Sequence, residues 1–267
     1  MFDQLLIWVR GAGEMASAAA HSLHNAGFKV VLSELARPLA IRRQVAFCEA
    51  MYHGTASVEG VTAKRCEVEA VADILAQDMI PVVKDEPDKI RTLKPDVLVD
   101  ARMLKRPPEE FGFAVDLTIG LGPGFVASDN CTAVIETNRG HALGRIIRDG
   151  GTQPDTKIPG DIGGQTRRRV VYAPVAGKVR WKVEIGDLVA AHDELGTMAG
   201  AGPIEAPLSG LVRGLISPEV QLTKGMKIGD IDPRGAPVDP AAISDKARAV
   251  GRGVLEAVLT FYRGSSR

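Results

Sequence analysis

The residues best suited to chemistry stand where an apolar run breaks. Leu5-Leu6-Ile7-Trp8-Val9-Arg10 passes into Gly11-Ala12-Gly13-Glu14-Met15-Ala16, which has the spacing of G-x-G-x-x-G/A. In that pattern the first glycine makes a tight turn, the second lets backbone approach a phosphate, and the small third residue, here Ala16, holds the following helix close to the strand. The free N–H groups opening such a helix favour an anion. About 20 residues further on, Lys29-Val30-Val31-Leu32-Ser33 ends at Glu34, where a dinucleotide-binding fold places the carboxylate that takes a ribose 2′-hydroxyl. The same residues also suit a strand, turn and helix that only pack. Glu14 complicates the nucleotide reading, because a carboxylate in the first turn suits the helix dipole but repels a pyrophosphate. It either points aside or has a function of its own, and so is a candidate catalytic residue.

Two more loops carry chemical potential. Ile119 runs into Gly120-Leu121-Gly122-Pro123-Gly124-Phe125, whose alternating glycines can wrap an anion with backbone amides, although a ligand-free glycine-proline turn has the same composition. Glu136 is followed by Thr137-Asn138-Arg139-Gly140-His141, where Arg139 is a candidate phosphate contact and His141 a candidate acid/base. Cys131 opens a buried-looking strand and reads as packing.

These loops need strands to carry them. The first strand, a helix over 14–26 closed by Gly27, and the strand ending at Glu34 form a β-α-β unit. Pro38 opens an expected helix over 38–50, with Arg37, Arg42 and Arg43 just beyond Glu34. Those arginines either neutralise an adenosine 2′-phosphate, leaving NAD against NADP open, or are exposed helix residues of little consequence for folding. A turn-rich segment over 52–60, a helix near 67–77 and apolar runs at 80–83, 96–100, 114–119 and 132–136 follow. Their alternation is most simply satisfied by a Rossmann-like parallel sheet, with ligands outside the carboxyl ends of its strands.

Composition narrows the partners. Lys+Arg and Asp+Glu both number 33 in 267 residues, so no net field draws in nucleic acid or an anionic membrane. The three cysteines are widely spaced without any C-x-x-C pair, which argues against a disulfide framework and a zinc site and suits a reducing cytoplasm. No 18-residue apolar run and no basic region before the first apolar segment are present, so neither a membrane span nor a signal peptide is expected.

Residues 149–166, rich in Gly, Pro, Asp and Thr, mark a boundary. Beyond it Ala173-Pro174-Val175-Ala176-Gly177-Lys178-Val179-Arg180 recurs as Ala206-Pro207-Leu208-Ser209-Gly210-Leu211-Val212-Arg213. Two such halves read as a small all-β sandwich of interlocked hairpins. Its pattern resembles the biotinyl/lipoyl carrier fold, but the hairpin between the halves, Gly196 to Pro203, has no lysine to carry a prosthetic group. A final helix follows Pro240, capped by Ser244 and striped with Ala247, Val250, Val254, Val258 and Phe261. Gly251 and Gly253 within it imply close packing on another surface. The expected organisation is 1–165 nucleotide-binding, 166–235 β-sandwich and 236–267 helix returning to the first domain.

Taken together, Arg10-Gly11-Ala12-Gly13-Glu14-Met15-Ala16, Pro38 to Arg43, Ile119 to Phe125, Glu136 to His141, Ile158 to Gly164, Lys227 to Arg234 and Ile243-Ser244-Asp245-Lys246-Ala247-Arg248-Ala249 resemble the YqeB family, uncharacterised proteins associated with selenium-dependent molybdenum hydroxylases. The resemblance spans nearly the whole chain. It implies a role in maturing or supplying the molybdenum cofactor and an acidic residue at Glu14, and it assigns no reaction. The expected function is therefore an accessory protein that binds a nucleotide-bearing cofactor, such as a molybdopterin dinucleotide, for a molybdenum hydroxylase. An NAD(P)-dependent oxidoreductase using His141, and a non-catalytic scaffold, stand as alternatives.

Overall fold

The computed structural model describes residues 4–109 and 114–265. The chain divides into two compact units. One comprises residues up to Ala36, Ala46–Thr156 and Ile243 onward; the other comprises Arg37–Val45 and Lys157–Ala242.

The larger unit starts with β1 (Leu6–Arg10), α1 (Glu14–Asn25) and β2 (Lys29–Glu34). Then come α2 (Ala50–His53), the strands β3 (Thr55–Val58) and β4 (Val61–Arg65), α3 (Val71–Leu75), β5 (Ile80–Lys84), α4 (Pro87–Ile90) and β6 (Val97–Asp100). β7 (Leu117–Leu121), β8 (Val126–Ala127), β9 (Ala133–Ile135), β10 (Ile146–Ile147) and β11 (Gly150–Gly151) complete its strands. The last helix of the chain, α5 (Asp245–Ser265), belongs to the same unit.

Nine of these strands form one mostly parallel sheet in the order β10-β9-β7-β6-β1-β2-β5-β4-β3. From β1 the chain moves to one side for β2 and β5, then returns to the other side of β1 for β6, β7 and β9. All pairs within that run are parallel, while β3 and β10 cap the two edges in antiparallel fashion. The central strands are near-continuous apolar runs because both faces are covered. Trp8, Val31, Val83, Leu98 and Ile90 pack together on one face. The indole N–H of the fully buried Trp8 donates to Ser33 Oγ at 2.8 Å, and Ser33 donates in turn to Asp85 Oδ1 at 2.8 Å. Asp85 also receives Arg10 Nε at 3.0 Å, so a polar chain runs under the carboxyl ends of β1, β2 and β5 with each member satisfied.

The α5 helix supplies cover. Ala247, Val250, Val254 and Val258 are all fully buried. A Cβ on Gly251 would stand 2.5 Å from the Ala18 carbonyl oxygen of α1, and one on Gly253 2.3 Å from that of Gly144. The two glycines let the helix lie directly on neighbouring backbone, which offsets their unfavourable helix propensity.

The smaller unit holds β12 (Val170–Tyr172), β13 (Val179–Trp181), β14 (Leu188–Val189), β15 (Glu194–Met198), β16 (Pro203–Glu205), β17 (Gly210–Leu215) and β18 (Lys227–Asp232). They form an antiparallel four-stranded sheet, β12-β18-β17-β14, and an antiparallel three-stranded sheet, β13-β15-β16. The sequence halves interlock: Gly177 and Leu222 exchange backbone hydrogen bonds at 3.1 and 2.8 Å, and Val212 does the same with Gly186 and Asp187. Leu195, Val212, Ile228 and Ile231 lie at the centre of the shared core. Residues 199–202, Ala-Gly-Ala-Gly, make the turn between β15 and β16 and contain no lysine.

One expected element does not form. The helix expected over 38–50 is replaced by an extended stretch with short 3-10 turns at Arg43–Val45 and Phe47–Glu49 before α2. Tertiary contacts override its periodicity. Ile41 lies against Gly214, where a Cβ would come within 2.8 Å of it, and Arg43 Nε donates to the Leu215 carbonyl at 2.8 Å. Arg42, only 8% exposed, donates to the carbonyls of Pro240 and Ala242 at 3.2 and 3.1 Å. The expectation of dispensable surface arginines is therefore corrected: both guanidinium groups hold backbone carbonyls. The segment expected as turn-rich is also more ordered, being a β3–β4 hairpin closed by Glu59 and Gly60 at φ 44° and 85°.

Candidate functional site

The carboxyl ends of β1, β2, β6, β7 and β9 carry most of the residues singled out from sequence. Gly11 turns the chain at φ 101°, its N–H donating to the Ser33 carbonyl at 2.7 Å, and a Cβ there would lie 3.3 Å from the Ala101 carbonyl group. That conformation favours glycine for steric reasons alone. Ala12 is buried, and its carbonyl accepts from Cys48 N–H and Ser17 Oγ, both at 2.9 Å. Ala16 is fully buried.

Gly13 differs. Its backbone, φ −73° and ψ −174°, is open to any residue, and a Cβ built on it meets nothing within 4 Å. It precedes the 12-residue α1, whose first turn receives no side-chain cap. Neither backbone conformation nor packing requires a glycine at this position, and open space lies in front of it.

Glu34 sits at the end of β2 with both carboxylate oxygens engaged. Oε2 accepts Ala12 N–H at 2.8 Å and Oε1 accepts Leu35 N–H at 2.7 Å. Burial pushes its pKa up, with the nearby Asp85 adding to the rise and the two N–H bonds opposing it. The carboxylate thus fastens the glycine turn to the end of β2.

Glu14 points aside. Its Oε1 accepts the Ser244 hydroxyl at 2.7 Å, and Ser244 Oγ in turn accepts Ala247 N–H at 3.2 Å in the first turn of α5. Arg139, in the loop after β9, makes a two-pronged ion pair with Asp245 at 2.5 and 3.0 Å. His141 is exposed and has no hydrogen-bond partner among the described residues.

The glycines of the 120–124 loop are accounted for by the protein itself. A Cβ on Gly120 would stand 2.0 Å from the Phe125 ring, one on Gly122 2.7 Å from the Thr137 hydroxyl, and one on Gly124 2.1 Å from the Arg106 carbonyl oxygen. Close packing demands all three, whatever else their amides do.

Sequence reading missed Lys246. It is the second residue of α5, where a cation opposes the helix dipole. That misplacement was the available signal. Burial, first, and the Arg139 and Lys105 charges hold its ammonium below the usual lysine range, partly offset by Glu14 and Glu136. Glu136, 2% exposed, spends its carboxylate on the N–H groups of Asn138 and Gln153 at 2.7 and 2.8 Å. It also borders an open hollow of about 500 Å³ beside β10, lined among others by Arg145, Arg148 and Asp149.

Among the described residues, no group of three or more His, Cys, Asp or Glu side chains is arranged to hold a metal ion. No helix among them is long and apolar enough to cross a membrane.

No family model matches the chain. It is 47% identical over 259 residues, 95% of its length, to a protein of Escherichia coli (strain K12) named uncharacterized protein YqeB, which supports the YqeB family resemblance. The chain spans about half of that relative, 47% of its length. Among solved structures, the ectoine utilization protein EutE (DoeB) from Ruegeria pomeroyi, in its product-bound form, is 13% identical with a TM-score of 0.23 over 85% of each chain. An aspartoacylase family protein from Mesorhizobium loti is 11% identical with a TM-score of 0.27, covering 85% of this chain and 84% of that one. Likeness at this level carries no functional argument.

Proposed function

We propose that the chain binds a phosphate-bearing nucleotide ligand at the carboxyl ends of its parallel strands, against the Gly11-Ala12-Gly13 turn and the start of α1. The observation that carries this reading is Gly13, a glycine with permissive backbone angles and no neighbour within 4 Å of a Cβ, at the uncapped start of a helix. A side chain there would occupy the space through which a phosphate approaches the amides.

The topology supports the same reading. The run β5-β2-β1-β6-β7-β9 matches the 3-2-1-4-5-6 order of dinucleotide-binding Rossmann sheets, in which ligands bind where the strand order reverses, here between β1 and β6. Glu34 stands at the end of β2, within reach of the turn it fastens. With the family resemblance, the ligand we favour is a nucleotide-bearing cofactor of the molybdopterin dinucleotide type, and the role is that of an accessory protein in molybdenum hydroxylase maturation. The β-rich unit is read as a biotinyl/lipoyl-like sandwich without carrier chemistry.

The test is isothermal titration of the purified chain with NAD, NADP, CTP, GTP and molybdopterin forms, each repeated on Gly13→Ala. The reading expects a nucleotide-bearing ligand to bind and the variant to lose affinity. Binding that survives Gly13→Ala unchanged would place the ligand elsewhere.

A further inference from the structure

Arg10 ends β1 and Arg102 follows β6, the two strands that flank the point where the order of the parallel sheet reverses. Their backbones are in contact, since the Ala101 N–H donates to the Arg10 carbonyl at 2.9 Å. Each guanidinium is fixed in the same way. Arg10 lays its Nε and Nη2 on Asp85 at 3.0 and 2.9 Å, and Arg102 lays its Nε and Nη2 on Asp100 at 3.0 and 2.7 Å. Both arginines and both aspartates are largely buried. A two-pronged pair of this kind holds the plane of the guanidinium, so the remaining Nη1 of each has a set direction.

The two Nη1 groups converge on one atom. Oε2 of Glu109 accepts Arg102 Nη1 at 3.1 Å and lies 3.7 Å from Arg10 Nη1, while its Oε1 lies 3.5 Å from Arg106 Nη2. Glu109 is 56% exposed and belongs to a stretch without regular structure, unlike the clamped arginines beneath it. Asp85 and Asp100 offset the charges of Arg10 and Arg102, yet the point of convergence still favours a negative group. The Arg102 hydrogen bond first, then the Arg102 charge and, to a lesser degree, that of Arg10, hold the Glu109 carboxyl below the usual glutamate range, with burial opposing them. An exposed carboxylate gains little from an ion pair. An external carboxylate exchanges with it without changing the local charge, and the arginines stay clamped by their aspartates throughout.

We infer that Arg10 and Arg102 form a binding seat for the carboxylate of a small organic acid, and that Glu109 is the chain's own stand-in, which such a ligand displaces. The ligand class follows from the occupant, a carboxylate that already places one oxygen between both Nη1 groups. The strand ends at a reversal of order are also where open parallel sheets receive their ligands. This inference needs neither Gly13 nor a phosphate, and it stands apart from the nucleotide reading.

The experiment is isothermal titration of the full chain with malonate, acetate and inorganic phosphate at constant ionic strength. Wild type, Glu109→Ala and the double variant Glu109→Ala/Arg102→Lys are compared, with thermal melts to verify that each is folded. Removing a tethered competitor, whose effective concentration is about millimolar, should let Glu109→Ala bind malonate roughly tenfold or more tightly than wild type. The double variant keeps the net charge of Glu109→Ala and leaves Asp100 a counter-ion, but lacks the converging Nη1 of Arg102, so it should lose that gain. A Glu109→Ala chain that binds the carboxylates no more tightly than wild type would overturn the inference. So would a gain that persists in the double variant, which would mark a general effect of charge, or a preference of Glu109→Ala for phosphate over both carboxylates. Should the double variant fail to fold, the comparison of Glu109→Ala with wild type decides alone.

Discussion

The Glu14 carboxylate accepts the Ser244 hydroxyl at 2.7 Å across 230 positions of sequence. A residue that would oppose a pyrophosphate is thereby turned toward the cap of the last helix, and two helix starts are joined. Ser244→Ala removes that acceptor bond's donor and the cap on Ala247 N–H together. The expected cost is about 1–2 kcal/mol, read as a lowered urea midpoint. An unchanged midpoint would mean that the α5 start is held by its apolar face alone. Glu14→Gln keeps the acceptor and removes the charge, so it should leave stability nearly unaltered and tighten an anionic ligand severalfold.

The glycines around the strand ends separate into two kinds. Gly13→Ala should cost no more than about 1 kcal/mol, since alanine is merely a poorer cap than glycine. Gly124→Ala should cost about 3 kcal/mol or more, because φ is 104° and a Cβ falls 2.1 Å from the Arg106 carbonyl oxygen. Thermal melts of the pair check this, and equal losses would contradict the distinction.

Arg42→Ala tests the segment that replaced the expected helix. Two carbonyls, those of Pro240 and Ala242, lose a charged donor at a buried position. A destabilisation of about 2–3 kcal/mol is expected from denaturant titration; a change below about 0.5 kcal/mol would return the residue to the surface class.

Much of the larger unit was legible because its strands are long apolar runs with strong punctuation. The runs ending at Arg10, Glu34 and Asp100 each fall within a residue or two of an observed strand, and Ser244 caps the last helix as its sequence indicates. The segment at 38–50 misled because proline, alanine and spaced apolar residues describe a helix equally well when their true partners, Gly214 and Leu215, lie some 170 residues away. The site was legible only in part for the same reason. Glu34, Gly11 and Gly13 are local to one turn, whereas the Glu14 bond and the setting of Lys246 are made between distant parts of the chain.

Glu59 gives the fold a pH signature. Against the effect of burial, the Arg248 guanidinium at 2.6 Å and Ile243 N–H at 2.8 Å hold its carboxyl below the usual glutamate value. A depressed folded pKa means the stabilisation is present above the unfolded value of 4.5 and is lost as pH falls through the folded one. Glu59→Gln should therefore be less stable than wild type at neutral pH, by no more than about 1 kcal/mol for so exposed an ion pair. The gap should close in acid. A gap that persists at low pH would assign the effect to packing.

The central claim is that the Gly11-Ala12-Gly13 turn receives the phosphates of a nucleotide. Isothermal titration of the wild-type chain with phosphorylated and unphosphorylated members of one nucleoside series addresses it most directly. The account predicts binding at submillimolar concentration that requires the phosphates and weakens at least tenfold in Gly13→Ala, the equivalent of about 1.4 kcal/mol. No heat from any nucleotide or pterin at millimolar concentration would contradict it and leave the sheet a scaffold.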